Sequence, residues 1–289
     1  MENKPQKAEI IIAEHAGFCF GVRRAMELVE KCLAEKRKPV YIIGSLVHND
    51  QVMEKLKQQG LSKVASVAEI PDGGILIIRS HGIAKEVIDE ARARQLEIVD
   101  ATCPFVSKAR IVAENFQHKG YDVVICGDAQ HAEIKGINSW IGNAGKIVGS
   151  PEEVAQMEFE KNVIGVLSQT TYKLSFLQEV VGQLLASGKK HVIVENTICS
   201  DSSTKQKEIK ELAQSVDVVV VVGGKSSSNT NKLAEISRAV GTPTYHIETK
   251  EELQPVWFAG AEKIGITAGA STAQFLVAEV VAEIRKLTS

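Results

Sequence analysis

Cys19, Cys103 and Cys199 each follow a short β-branched run and sit in a small polar segment: EHAGFCFG at 14–21, DATCPF at 100–105 and ENTICS at 195–200. A second polar segment follows each cysteine at nearly constant distance. His48 of VHN comes 29 residues after Cys19, His131 of HAE 28 after Cys103, and Ser227 of SSN 28 after Cys199. A third segment closes each set: SHG at 80–82 with His81, QTT at 169–171 with Thr170, and GAST at 269–272 with Ser271. If three equivalent units meet around a pseudo-threefold axis, three thiolates converge with no fourth, which leaves an open coordination position. Soft thiolate ligands favour Fe–S, Zn or Cu(I). A threefold array suits a 4Fe–4S cube, with three irons anchored by cysteine and the fourth open to substrate.

The other six segments are rich in His, Ser, Thr and Asn, and each precedes a helical pattern. Helix N-termini carry unpaired N–H groups and partial positive charge, so several pointing inward form an anion site. Lys and Arg are scarce in these segments, so a phosphate would be held mainly by neutral donors and histidine. Glu133, beside His131, is the one carboxylate in a second-class segment; burial or substrate charge would make it a proton donor. Thr170 and Thr171 add hydroxyls that can position or relay a proton. GGKSSS at 223–228 looks like the end of a P-loop, but Val219 stands where the first glycine is needed, and no G-x-G-x-x-G follows a strand.

The elements that must position these groups read as strands alternating with helices. Apolar runs recur at 9–13, 40–43, 75–78, 123–126, 163–167, 218–222 and 264–267, each leading through a polar segment into a helical pattern. This predicts an α/β fold of three similar lobes in pseudo-threefold arrangement, each a small, mostly parallel sheet flanked by helices around a central iron–sulfur site. Boundaries near 100 and 196 give lobes at 9–100, 101–196 and 197–286, with the N-terminal strand and the Cys19 loop able to pack with the third lobe.

The formal charge of −2 gives no electrostatic case for nucleic acid or an anionic membrane as partner. No apolar run is long enough to span a bilayer, and MENKPQKAEI has no stretch of signal-peptide type, so a cytoplasmic protein is expected. An odd count of 5 cysteines argues against a disulfide framework and for a reducing compartment.

These segments resemble the 4-hydroxy-3-methylbut-2-enyl diphosphate reductases, the LytB/IspH family. AGFCFGV, VHN, SHG, DATCP, H-x-E, QTT, NTIC, K-x-SSN-x-N and TAGAS stand in the family's order over essentially the whole chain. The resemblance implies a three-lobed fold and a two-electron, two-proton reductive dehydroxylation giving isopentenyl and dimethylallyl diphosphate, last in the non-mevalonate isoprenoid pathway. It implies a 4Fe–4S cluster on Cys19, Cys103 and Cys199 and proton supply by Glu133 with Thr170 and His131. It further implies diphosphate binding by His48, His81, His131, Thr170, Ser227, Ser228, Asn229 and Ser271, with electrons from an external ferredoxin or flavodoxin. Some relatives carry a longer C-terminal tail that reaches over the site, and Ala132 stands where many have proline.

Blander roles fit the remaining candidates. Cys32, on a helix, and Cys126, in a strand, read as packing residues. His15 and His118 read as surface residues, His191 and His246 as structural, and Lys205 to Glu211 as a solvated helix face. Serines 226–228 suit helix capping as well as phosphate. Two rivals differ in chemistry: a three-Cys 4Fe–4S condensing enzyme of the quinolinate synthase type, and a non-catalytic redox sensor. The first binds carboxylates, and no arginine fork is evident in the site segments.

Overall fold

The computed structural model describes residues 8–35, 38–188 and 191–289. The first stretch of elements is β1 (Glu9–Ile12), α1 (Phe20–Glu35), β2 (Val40–Ile43), α2 (Asp50–Gln58), β3 (Leu61–Val64), β4 (Ile75–Ile78), α3 (Lys85–Ala93) and β5 (Glu97–Asp100). Next come α4 (Pro104–His118), β6 (Asp122–Cys126), α5 (Ala132–Trp140), β7 (Lys146–Val148), β8 (Val163–Ser168), α6 (Leu174–Ala186) and β9 (His191–Val194). The last stretch is α7 (Ser200–Ser215), β10 (Val218–Val222), α8 (Ser228–Val240), β11 (Thr244–Ile247), β12 (Lys263–Ala268) and α9 (Gln274–Leu287).

All strand pairs are parallel, and the three sheets share one order: β3-β2-β4-β5, β7-β6-β8-β9 and β11-β10-β12-β1. The central strands, such as ILII in β4 and VVVVV in β10, are buried on both faces, as a helix-covered parallel sheet requires. The expectation of three α/β lobes with small parallel sheets therefore holds. The strand before each cysteine pairs at the end of a sheet: β5 on β4, β9 on β8 and β1 on β12. The N-terminal strand is thus the closing strand of the sheet formed by residues 218–268.

The chain divides into two compact units. One comprises residues 8–20, 48–52 and 200–289 and holds the β11-β10-β12-β1 sheet. Val218, Val220, Val222, Ile264 and Ile266 pack against Val277, Val280 and Ile284 of α9 on one face. Val219 and Val221 pack against Leu212 of α7 and Leu233 of α8 on the other. The alternation along one strand fills both layers, since successive side chains point to opposite faces.

The second unit, residues 21–47 and 53–199, holds the other two sheets. Here Phe116 of α4 lies on β8 so closely that a methyl group on Gly165 would come within 2.4 Å of its ring. Gly165→Ala should therefore cost about 1–3 kcal/mol through overpacking. Chemical denaturation checks this; an unchanged midpoint would show that Phe116 can move aside.

Candidate active site

All nine polar segments singled out in the sequence link the C-terminal end of a strand to the start of a helix. Open α/β sheets bind ligands at such ends. Cys19, Cys103 and Cys199 immediately precede α1, α4 and α7, so each sulfur sits at the positive end of a helix, where negative charge is favoured. Their backbones repeat one bond. The N–H of Cys19 donates to Ala270 O at 3.2 Å, that of Cys103 to Ser80 O at 2.9 Å, and that of Cys199 to Thr170 O at 2.8 Å. Each cysteine thus hangs on the third-class segment of its own sheet. The residue after each acceptor is Ser271, His81 or Thr171, which marks Thr171, absent from the predicted binding set, as their counterpart. Cys19 and Cys103 are half-buried, Cys199 is buried, and none of the five cysteines forms a disulfide. Cys126 lies in β6, where burial pushes its thiol up to about 12, in keeping with a packing role.

In the second unit the acid and a cysteine meet on a single threonine. Glu133, the second residue of α5, is 1 % exposed. Its Oε1 accepts the Thr170 N–H at 2.7 Å and its Oε2 the Thr170 hydroxyl at 2.8 Å. Burial raises the Glu133 carboxyl from 4.5 to about 7, against the opposing pull of those two hydrogen bonds. The carbonyl of the same Thr170 holds the Cys199 N–H. His131 is the N-cap of α5, its Nδ1 accepting the Glu133 N–H at 3.2 Å. The His81 and His131 rings meet edge-on at 5.6 Å between centroids. Sequence reading named each of these residues; the Thr170 clasp on the carboxylate it could not see.

In the first unit three loops interlock. The carbonyl of His48 accepts the Ser271 hydroxyl at 3.2 Å, and Gly224 approaches so closely that a Cβ would lie 2.4 Å from that oxygen. Ser227 caps α8, its Oγ accepting the Thr230 N–H at 3.4 Å, and Ser228 opens the helix. The equivalent capping place in α2 belongs to Asn49, whose Oδ1 accepts the Val52 N–H at 3.0 Å. The sequence register had paired His48 with His131 and Ser227; by helix start, Asn49 is their counterpart, one residue further on. Asn49 is 2 % and Asn229 4 % exposed, and the Nδ2 of each is buried without a hydrogen-bond partner among the described residues. An unpaired buried donor is costly unless a ligand takes it up, so both amides point to an acceptor-rich ligand.

One correction concerns Lys205, which sequence reading placed on a solvated helix face. It is 4 % exposed and shares the buried stripe Ser202, Lys205, Ile209, Leu212 of α7. Its Nζ donates to the carbonyls of His15, Gly17 at 2.9 Å and Ala268 at 3.5 Å. It therefore ties down the loop that carries Cys19. The spacing of Lys205 to Ile209 and Leu212 at helical intervals was the signal available in the sequence.

Three parallel α/β sheets with cysteines at equivalent helix starts, a buried acid clasped by a hydroxyl, and loops offering neutral donors make this an α/β protein with candidate thiolate and anion ligands at its strand ends. A family model described as LytB protein matches residues 10–285. The 4-hydroxy-3-methylbut-2-enyl diphosphate reductase of Geobacter metallireducens is 43 % identical over 97 % of this chain and 98 % of its own. That of Aquifex aeolicus is 41 % identical, covering 96 % of each. Among solved structures, a reductase described as the terminal enzyme of the non-mevalonate pathway has a TM-score of 0.72 at 40 % identity, covering 96 % of this chain and 99 % of that one. The Plasmodium falciparum reductase has a TM-score of 0.90 at 29 % identity, over 96 % of this chain and 88 % of that one. The chain belongs to the LytB family of 4-hydroxy-3-methylbut-2-enyl diphosphate reductases.

Proposed function

We propose that the chain reduces (E)-4-hydroxy-3-methylbut-2-enyl diphosphate to isopentenyl and dimethylallyl diphosphate. The substrate's allylic C–O bond breaks, two electrons and two protons enter, and water leaves. The observation that carries this reading is Thr170, which holds Glu133 with its N–H and hydroxyl and Cys199 with its carbonyl. An acid and a metal-ligand candidate fixed to one residue are what a protonation coupled to reduction needs.

The donor set suits a 4Fe–4S cluster: soft thiolates of Cys19, Cys103 and Cys199 at equivalent helix starts, with no fourth cysteine in the repeat. Bound there, the cluster supplies electrons and a Lewis-acidic iron for the leaving hydroxyl. The protein supplies the proton. With its carboxyl near 7, Glu133 is about half protonated at neutral pH. The Thr170 hydroxyl donates to ionised Glu133 across 2.8 Å; once the acid is protonated that bond reverses, Oε2–H donating to Thr170 Oγ1 while the threonine hydrogen turns to a substrate oxygen. His48, His81, His131, Thr170, Ser227, Ser228, Asn229 and Ser271 hold the diphosphate in this reading, and the buried amide of Asn49 joins them. The unpaired Nδ2 groups of Asn49 and Asn229 support an acceptor-rich ligand that carries no demand for arginine.

Reducing equivalents come from an external ferredoxin or flavodoxin. The odd count of 5 cysteines favours a reducing compartment, and this reading places the chain in the cytoplasm. No helix among the described residues is long and apolar enough to cross a membrane. The condensing-enzyme and redox-sensor alternatives find no support in the family, and a sensor has no use for a buried acid.

Anaerobic purification tests the reading. About four irons per chain are expected, with an electron-spin-resonance signal perturbed by the allylic diphosphate and turnover of that diphosphate with a chemically reduced dye. Stoichiometric zinc, or no metal, would remove the assignment.

A further inference from the structure

Beside the Cys103 segment, α1 and α4 border an open hollow of about 580 Å³ within the second unit. Arg24, Thr102, Pro104, Lys108, Ile111 and Val112 line it. Thr102 and Pro104 flank Cys103 in the chain. The Arg24 guanidinium donates to Thr102 O at 3.1 Å, which fixes a cation on the strand-to-helix turn that carries the cysteine. Lys108 is exposed one turn further along α4, and Ile111, 48 % exposed, presents a large aliphatic side chain to solvent beside it. The acid of the hollow, Asp100, is exposed, and its Oδ1 accepts the Thr102 N–H at 2.8 Å. The hollow thus joins exposed aliphatic surface to two cations, Arg24 and Lys108, against one carboxylate, Asp100, on a chain whose overall charge is −2.

We infer that this face receives the electron donor, and that the donor is a small acidic carrier protein. The inference rests on the reductase reading. That reaction consumes two electrons, and the chain has no nicotinamide or flavin motif, so a carrier must deliver them from outside. Two reduced one-electron carriers are each oxidised by one electron per turnover. Delivery is helped by docking where the cysteine-bearing turn meets solvent, and Thr102 and Pro104 are the residues of that turn which the hollow exposes. An exposed aliphatic contact beside an excess of cationic side chains suits a brief encounter with an acidic surface: the apolar residues add contact, and the charges set the on-rate and its salt dependence. Electron-transfer encounters use small interfaces, so one hollow and its rim are of adequate size.

The test is a calorimetric titration of an acidic 2Fe–2S ferredoxin into the iron-loaded protein. Lys108→Glu should weaken binding about tenfold at low ionic strength, with the difference shrinking in concentrated salt. Ile111→Asp should weaken it at every salt concentration. Lys207→Glu, on the exposed side of α7, is the control and should stay within about twofold of the parent. All three variants should turn over normally with a dye reduced by dithionite, while ferredoxin-driven turnover falls with Lys108→Glu and Ile111→Asp. Parent-like binding by both of these variants, equal weakening by the Lys207 control, or no binding to the parent protein would overturn the docking face. Failure of the parent to turn over with dye would instead remove the reductase reading, and the titration would still decide the face.

Discussion

Replacing Glu133 by Gln should lower turnover by about 100-fold or more and, above pH 7, make the folded protein more stable. The two effects share one cause. Gln is nearly isosteric: its Oε1 can still accept the Thr170 N–H, and its amide can donate to Thr170 Oγ1 in place of the Oε2 contact. Geometry is kept and the transferable proton is lost. For stability, the carboxyl titrates near 4.5 in the unfolded chain and near 7 when buried. Below pH 4.5 both states are protonated and nothing is lost. From there to pH 7 the folded chain binds more protons than the unfolded one, so stability falls as pH rises. Above 7 the ionised group sits buried at a cost of about 3 kcal/mol, which Gln never incurs. Thermal unfolding of parent and variant at pH 4, 6 and 8 should show a gap that is absent at the first, opens at the second and reaches about 5–10 °C at the third. Full turnover by the variant would remove Glu133 from the chemistry. A gap that does not depend on pH would mean that the carboxyl is ionised at its ordinary value.

The same burial that raises Glu133 explains what the sequence could and could not show. The six central strands, β2, β4, β6, β8, β10 and β12, are apolar because helices cover both faces, and each stands out as a β-branched run. The strands missing from the apolar runs, β3, β5, β7, β9 and β11, are all sheet edges; β5 and β9 are inferred only from the cysteine that follows each, and β11 only from His246. LSKV, EIVD and TYHI mix polar and apolar residues because one side meets solvent, and so they resemble loops. The edge strand that stands out as an apolar run is β1, which pairs with residues more than 250 positions away; no local pattern could assign it to a sheet. Site residues were legible where type and spacing coincide, as for the cysteines and His131. Asn49 was hidden because the preceding His48 is the more eloquent residue, and helix starts rather than residue types carry the repeat. Thr171 was passed over for a similar reason: only the backbone bond from Cys199 to Thr170 sets it beside His81 and Ser271.

Lys205 shows the opposite failure, a charge whose type misleads, and its removal should be the most damaging single change outside the acid. Its ammonium reaches the carbonyls of His15, Gly17 and Ala268, the first two inside the loop that ends at Cys19. Gly17, at φ +101, holds a conformation that L side chains rarely adopt, and its N–H makes a long bond of 3.4 Å to Ala268 O, so the ammonium reinforces the loop at its most strained residue. Glu208, one turn along α7, accepts the His15 N–H at 3.2 Å and adds a second, more exposed tether. Lys205→Met keeps the length and apolar stem of the side chain but leaves the His15 and Gly17 carbonyls without their donor. Hydrogen bonds to charged groups contribute about 1.5–3 kcal/mol each, and the released cost of burying the ammonium offsets part of the sum, so a net loss of about 3 kcal/mol is expected. The loop then samples conformations in which Cys19 departs from its bond to Ala270 O, and iron per chain should fall even in preparations that remain folded. Iron content measured beside the unfolding midpoint separates the two effects. Loss of stability with full iron would mean that Lys205 serves only the α7 packing, whereas unchanged stability would show that water replaces the ammonium at no cost.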